Sequence, residues 1–311
     1  MALENELGVA LFDRVGRRVQ LTSDGRDLLQ RARRLLDDVE SLAERARMLK
    51  GGSTGTIRIG APTQVIEAVL APFAAIFRRR HPGVEVQFVD ATAERLRRHI
   101  DSGDVQIGVL PVGPDPFEGP LLYAVHVTLV VPRQHRLARR RTADVAELAG
   151  EPVLLLGHQF GLRSWFDSAC DAAHVKPRLV AESASPHTLV SLARHGFGVA
   201  VVPSDLPVLQ RSVRVLPLVH RGVSVGRWTF VGWNPGRVLP PYAHRFAFEL
   251  AKAVARRQPG HDVVRRAPRI PEPRRTDCDP VTSNGTTDCR PSDTVSILPN
   301  GSNRHCVKDA E

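Results

Sequence analysis

Apolar positions along this chain change their spacing repeatedly, and each change predicts a new element. From residue 56 to residue 110 the spacing switches between two, typical of strands, and three or four, typical of helices. It predicts strands at 56–60, 84–90 and 105–110, which alternate with helices at 64–80 and 93–102. This alternation is typical of a parallel α/β sheet covered by helices on both faces.

A second unit of the same kind follows an extended stretch at 121–132. Its predicted elements are helix 142–148, strand 152–156, helix 162–174, strand 178–182, helix 186–195 and strand 198–203. The chain then returns through 223–233, and an amphipathic helix at 241–257 is expected to pack on the first unit. Two α/β lobes joined by two crossing strands leave a cleft, which is a common place for a small-molecule site.

The N-terminal pattern predicts a helix followed by a short hairpin. The helix ends at Gly8, because glycine readily adopts the left-handed conformation found just after a helix. Gly16 permits a tight turn between two strands and brings Arg14, Arg17 and Arg18 together. Three clustered arginines suit DNA phosphates or a minor groove.

A long helix is predicted from its N-cap, Thr22, to about Lys50. Its apolar positions alternate spacings of four and three, as in the heptad seam of a coiled coil: Leu28, Ala32, Leu35, Val39, Leu42, Ala46 and Leu49. The seam alone fits equally well an amphipathic helix that lies on its own domain. The charged outward faces and the glycine-rich linker at 51–55 favour a helix that dimerises.

Several ordered motifs carry a family resemblance. Residues 2–29 combine the helix, the basic glycine turn and a Leu-Thr pair before the long helix, and further motifs lie at 55–63, 79–85, 103–109, 135–138, 148–156 and 189–203. Together they resemble the LysR-type transcriptional regulators over about residues 1–258. The resemblance implies an α/β fold with a two-lobed effector-binding domain, similar to type 2 periplasmic binding proteins, preceded by a partial winged helix and a coiled-coil linker helix.

The same resemblance divides the chain into domains. The implied boundaries are a winged helix-turn-helix remnant at 1–22, a dimerising linker helix at 23–50 and the effector-binding domain at 51–258, with lobe I at about 56–125 and 228–258 and lobe II at about 126–227. Residues 259–311 are rich in proline, serine and charged residues and contain no aromatic residue, which predicts a disordered tail.

The N-terminal segment is expected to retain only part of a DNA-binding module. In the resembling family, two further helices and the front of the recognition helix precede it, whereas here Met1 stands directly before Ala2. We therefore expect the base-reading part to be missing. Phosphate contacts position a protein while base contacts select the sequence, so the wing by itself would bind without selecting a site.

Length, composition and charge limit the classes of protein to which this chain can belong. A chain of 311 residues with 42% hydrophobic content can build substantial cores, and it has neither an apolar run of membrane-spanning length nor a signal sequence, so a cytoplasmic protein is expected. The net charge is +10, yet residues 1–50 carry ten basic and nine acidic side chains, so the excess lies outside the DNA-like segment. Cys170 is expected to be buried and inert, and no cysteine pair has zinc or redox spacing.

Polar residues follow several predicted strands, where they meet the positive ends of helices. Thr63 and Gln64, Thr92, and the turn at 157–162 have this position, which favours an anion, although Thr63 alone fits helix capping equally well. The family resemblance implies an effector pocket lined by Thr63, Gln64, Thr92, Leu110, Phe160, Gly161, Val202 and Pro203. Arg163 could add a bidentate contact to an anion, or remain a surface residue.

No catalytic, metal-binding or cofactor-binding pattern emerges, so an enzyme is not expected. The leading hypothesis is a LysR-type regulator that binds DNA and a small anionic effector as a homodimer, which could pair into a tetramer, with no membrane partner. The alternative is a truncated sensor that dimerises and binds its ligand without sequence-specific DNA binding. A third class, an enzyme or transport protein with the same two-lobed fold, stays open because a fold does not fix a function.

Overall fold

A computed structural model of the chain describes residues 2–15, 18–49 and 54–273. Its N-terminal part begins with helix α1 (Ala2–Leu7), the hairpin strands β1 (Phe12–Val15) and β2 (Arg18–Leu21), and the long helix α2 (Ser23–Leu49). The Glu4 carboxylate accepts the backbone N–H of Leu11 at 2.8 Å, which fixes α1 to the hairpin. The Thr22 hydroxyl accepts the N–H of Gly25 at 2.8 Å, so it caps α2 as the sequence predicts.

The remaining described chain forms a two-lobed α/β domain. The elements of the first lobe are β3 (Gly55–Ala61), α3 (Thr63–Val65), a π-helical segment (Ile66–Leu70), α4 (Ala71–Arg80), β4 (Val84–Asp90), α5 (Ala93–Ser102) and β5 (Ile107–Pro111). The predicted helix 64–80 therefore contains a wider turn before Pro72. Proline has no N–H to donate to the preceding turn, which makes a regular α-helix costly at this point.

The central strand of the domain is β6 (Leu121–Pro132), and it runs through both lobes. The elements after it are β7 (Ala143–Asp144), β8 (Pro152–Leu156), α6 (Gly161–Ala172), β9 (Arg178–Ser183), α7 (Pro186–Arg194), β10 (Val199–Pro203), β11 (Val213–His220), β12 (Val223–Ser224), β13 (Gly226–Gly232), α8 (Pro241–Arg256) and α9 (His261–Val264).

Strand pairing divides β6 into two halves. The first half pairs with β13, so that lobe I has the sheet order β4-β3-β5-β13-β6. The second half lies between β10 and β11, and lobe II has the order β11-β6-β10-β8-β9. Within each lobe the three strands that alternate with helices are parallel, as the sequence predicts. Strands β6 and β13 run antiparallel to their neighbours, whereas β11 is antiparallel to β6 and β12 and parallel to the short β7.

Two hydrophobic cores meet at this central strand. The side chains of Leu122, Tyr123 and Val125 belong to the core of lobe I, whereas Val127 and the following residues of β6 belong to that of lobe II. Helix α8 packs on lobe I, where the Phe246 ring contacts Phe73 edge-on at a centroid distance of 5.0 Å. The predicted packing of the last amphipathic helix on the first unit is confirmed.

Three sequence predictions differ from the structure. The predicted helix at 142–148 is only a 3₁₀ turn, Val145–Leu148, because Gly150 in the left-handed conformation stops it after one turn. Strand β11 was not predicted, since Pro217 interrupts an otherwise strand-like run. The predicted disorder after residue 258 is wrong for 259–273, which contain α9 and an extended segment.

The C-terminal segment is held by apolar burial and by hydrogen bonds to strands. Val263 is buried in the core of lobe II. The Ser224 hydroxyl donates to the carbonyl of Pro268 at 2.7 Å, and the Trp228 indole N–H donates to that of Ile270 at 3.1 Å. A few contacts onto a preformed surface thus order a segment whose composition predicts disorder. The rest of the predicted tail, 274–311, lies outside the described residues.

Candidate effector site between the lobes

A pocket lies between the lobes, where three strand-to-helix turns face the crossing strands. It encloses about 670 Å³ of empty space, a figure that includes the solvent in its open mouth. Six of the eight residues predicted from the sequence line it: Gln64, Thr92, Leu110, Phe160, Gly161 and Pro203. Most of its wall is apolar.

The other two predicted residues lie elsewhere. The Thr63 hydroxyl donates a hydrogen bond to the Asp90 carboxylate, which draws this side chain away from the pocket lining. Val202 is fully buried in the core of lobe II, and its carbonyl accepts a hydrogen bond from the Thr128 hydroxyl at 2.8 Å. Both residues therefore contribute to local structure next to the pocket.

Twelve of the eighteen lining residues were not predicted from the sequence, among them Trp165, Thr229 and Asp205. Trp165 lies one helical turn after Gly161 on α6 and packs against both cores, so helical spacing could have identified it. Thr229 donates its hydroxyl hydrogen bond to the carbonyl of Tyr123 at 2.8 Å. Asp205 follows the end of β10 in a loop that carries no periodic signal.

The N-termini of α5 and α6 are arranged to favour an anion. Neither helix has a side chain that caps it, and their N-cap residues are Thr92 and Phe160. Uncapped N–H groups and the positive end of the helix dipole attract negative charge. The Thr92 hydroxyl and the Gln64 amide add neutral hydrogen-bonding groups to the same wall.

Arg163 does not supply the anion contact that the sequence suggested. Its guanidinium is buried and binds Asp167 at 2.9 Å, Glu182 at 2.8 Å and the carbonyl of Leu156 at 3.1 Å. These bonds tie α6 to β8 and β9. With both carboxylates already engaged, this arginine stabilises lobe II and is not available to a ligand.

Asp205 carries the charge that the described lining residues bring to the pocket. The hydroxyl of Tyr123 donates to its Oδ2 atom at 3.0 Å, and burial raises the pKa of Asp205 to about 6. His126 lies nearby on β6, where its backbone N–H donates to the Ser204 hydroxyl at 3.0 Å. Burial lowers the pKa of His126 to about 4, so its ring is neutral near pH 7.

A hydrogen bond between described side chains joins the lobes at the edge of the pocket. The Nε2 atom of His187, on α7 of lobe II, lies 2.9 Å from Oε2 of Glu67, in the π-helical segment of lobe I. Both side chains are about half exposed. The pair spans the cleft and links two elements that move apart if the lobes open.

The linker helix presents its predicted seam to solvent. Leu35, Val39 and Leu42 are 67%, 63% and 71% exposed, and Ala32 and Ala46 are also exposed. Leu28 is partly buried, and the side chain of Leu49 lies outside the described residues. A different, acidic face turns to lobe I, where Asp37 lies 3.7 Å from Arg237 and Glu40 lies 3.9 Å from Arg58. The seam is therefore not used by the chain's own domain.

The predicted N-terminal hairpin is present as far as the structure describes it. Arg14 on β1 pairs with Val19, and Arg18 on β2 pairs with Val15, so both arginines flank the turn. Arg17 lies outside the described residues. Cys170 is buried on α6 as predicted, and burial raises the pKa of its thiol to about 12.

The described ranges contain neither a metal-binding cluster nor a membrane-spanning helix. Within 2–15, 18–49 and 54–273, no cluster of histidine, cysteine and acidic residues could hold a metal ion. The helices of this part of the chain are also too short or too polar to cross a bilayer.

Comparison with known proteins decides the family. Residues 50–255 match the family profile described as the LysR substrate binding domain. The chain belongs to the LysR family. Members of this family are transcriptional regulators that bind DNA and small-molecule effectors and act as oligomers.

Curated LysR regulators match most of this LysR chain. The HTH-type transcriptional regulator IlvR of Caulobacter vibrioides is 31% identical over 225 residues, which cover 70% of this chain and 76% of that protein. The uncharacterized HTH-type transcriptional regulator YybE of Bacillus subtilis is 26% identical over 246 residues, covering 78% and 84%.

Solved LysR structures share the fold. HinK, a LysR family regulator from Pseudomonas aeruginosa, superposes with a TM-score of 0.58 at 23% identity and covers 81% of this chain and 86% of its own. The effector-binding domain of QuiR in complex with shikimate gives 0.59 at 15% identity, covering 66% and 99%. The two-lobed α/β architecture predicted from the sequence is confirmed.

Proposed function

We propose that this LysR regulator binds an effector with an anionic group in the pocket between its lobes, and that it acts on DNA as a dimer joined along α2. The observation that carries the proposal is the pocket itself, in which the uncapped N-termini of α5 and α6 face the cleft between two lobes. A ligand held there contacts both lobes and favours one relative orientation over others. The shikimate bound by QuiR, a small carboxylate, agrees with this ligand class.

The proposed dimer follows from the exposed seam. A row of apolar side chains on one face of α2 is left in water, while the acidic face of the same helix lies on lobe I. Coiled-coil pairing would bury this row against a second copy. Each chain of such a dimer would offer Arg14, Arg17 and Arg18 of its hairpin to DNA phosphates. Tetramers would require a further contact between dimers.

The test uses the protein at the full length its gene encodes, with DNA that flanks its own coding region. We expect binding that weakens steeply as salt is raised, because phosphate contacts release counterions. We also expect small carboxylates, shikimate among them, to change the DNA affinity. Ligand binding without salt-sensitive DNA affinity would favour the alternative of a sensor that dimerises without reading DNA.

A pair of variants separates the pocket from the rest of the surface. Thr92→Trp places a large ring at a partly exposed position of the pocket wall and is expected to abolish the ligand response while DNA affinity is retained. Leu179→Trp introduces the same side chain at an exposed position on β9 and should leave the response intact. Equal responses of the two variants would refute the assignment of the pocket.

A further inference from the structure

Asp205 combines burial, charge and an unused hydrogen-bonding atom. Its side chain is 2% exposed, and its Oδ1 atom has no hydrogen-bond partner among the described residues. The other oxygen, Oδ2, accepts the hydroxyl of Tyr123 at 3.0 Å. A buried carboxylate oxygen is costly without a full set of donors, so a ligand donor at this position would stabilise the site.

No described cation pairs with this carboxylate. Lysine, arginine and histidine are absent from the described residues that line the pocket. Arg257 and His261 line a second cavity that Asp205 also borders, but neither forms an ion pair with Asp205 among the described residues. Within the pocket, a positive charge for Asp205 would therefore have to come from a ligand.

The pocket has a second pole of the opposite sign. The uncapped N-termini of α5 and α6 favour negative charge, and the neutral side chains of Gln64 and Thr92 lie beside them. Apolar side chains, among them Leu110 and Trp165, complete the wall. A ligand that satisfies the whole lining needs an anionic group, an apolar body and a donor.

We propose that the pocket selects a bifunctional effector, whose anionic group binds the first turns of α5 and α6 and whose protonated amine binds Oδ1 of Asp205. This inference rests on the proposed function, because it specifies the chemistry of the effector in the same pocket. A protonated amine supplies both the missing donor and the missing positive charge, and charge-assisted hydrogen bonds are the stronger kind. A carboxylate without a donor leaves Oδ1 unpaired and binds less tightly.

Three matched compounds test this specificity: para-(aminomethyl)benzoate, para-(hydroxymethyl)benzoate and para-methylbenzoate. They share a carboxylate and a ring and differ in the group that would face Asp205. By calorimetry on the full-length protein near pH 7, we expect the aminomethyl compound to bind about tenfold or more tightly than the methyl compound, with the hydroxymethyl compound between them. In Asp205→Asn this preference should fall to about onefold, while the variant keeps its cooperative thermal unfolding.

Two control variants keep the test specific. Asp205 also lines a second cavity behind the crossing strands, to which Asp262 contributes another carboxylate. Asp262→Asn removes one charge there and should retain the full preference for the amine. Tyr123→Phe removes the donor to Oδ2, keeps the Asp205 carboxylate and should also retain the preference.

Several results would overturn the proposal. These are equal affinities of the three compounds, no measurable binding of the aminomethyl compound, a preference that survives in Asp205→Asn, or an equal loss in Asp262→Asn. The affinities are measured without DNA, so failure of this test leaves the DNA-binding result unaffected. Conversely, failure of the DNA assay would leave these affinities interpretable.

Discussion

Shortening one seam side chain on α2 should weaken dimerisation strongly without disturbing the fold of one chain. Leu42→Ala removes three carbon atoms, and burial of each carbon contributes about 0.8 kcal/mol. Leu42 is 71% exposed, so a partner could bury most of this surface. The loss is then about 1.7 kcal/mol for each chain and about 3.4 kcal/mol for a dimer, or roughly 250-fold in the dissociation constant.

The matched control is Leu209→Ala, since Leu209 is 72% exposed but lies in the loop after β10. Analytical ultracentrifugation over a dilution series gives the dissociation constant of each variant. We expect a large shift for Leu42→Ala and none for Leu209→Ala, with thermal unfolding of the monomers unchanged. If both variants dissociate at the wild-type concentration, the α2 seam is not the dimer interface and the area argument fails.

Two further predictions concern the pocket and its edge. The His187–Glu67 pair is half exposed, so a double-mutant cycle with His187→Ala and Glu67→Ala in urea unfolding should give a coupling of about 0.2–1 kcal/mol, and a coupling of zero would show that the pair does not hold the lobes together. Burial raises the folded-state pKa of Asp205 from 3.8 to about 6. The contribution of the protonated Asp205 to stability is therefore fully present below pH 3.8 and is lost as the pH rises through about 6. The wild type should therefore lose about 3 kcal/mol of unfolding free energy over this range relative to Asp205→Asn, and parallel pH profiles of the two proteins would contradict the assigned burial.

Most of the fold could be predicted from periodicity because each element is long and buried on one side. Strands Val84–Asp90, Leu121–Pro132 and Pro152–Leu156 have the predicted bounds. Two elements were not predicted correctly because local sequence signals conflicted. Pro217 lies within β11, and the run at 142–148 is too short to distinguish a helix from one 3₁₀ turn. Tertiary contacts determine the conformation of such segments, and the hydrophobic pattern of the sequence carries no information about those contacts.

The pocket could be located from the sequence more reliably than its chemistry. Turns at the carboxyl ends of the strands face the cleft, which is why Gln64, Thr92 and Gly161 line the pocket. The direction of a side chain depends on its partners, however, and Thr63 turns to Asp90. Asp205 could not be found, since its importance comes from burial and an unpaired oxygen that arise only when the lobes assemble.

The position of Asp205 also explains how a bound ligand would reach the rest of the LysR chain. Its neighbour Ser204 exchanges hydrogen bonds with the backbone of His126, at 2.9 Å and 3.0 Å, where the two hydrophobic cores meet on β6. Asp205 itself binds Tyr123 on the lobe I half of that strand. A ligand that pairs with this carboxylate would therefore act on the crossing strand through the Tyr123 hydroxyl and through the backbone of the adjacent Ser204. Because lobe I also contacts α2 through Arg58 and Arg237, we expect a change at the crossing strand to alter how the linker helix lies on the domain.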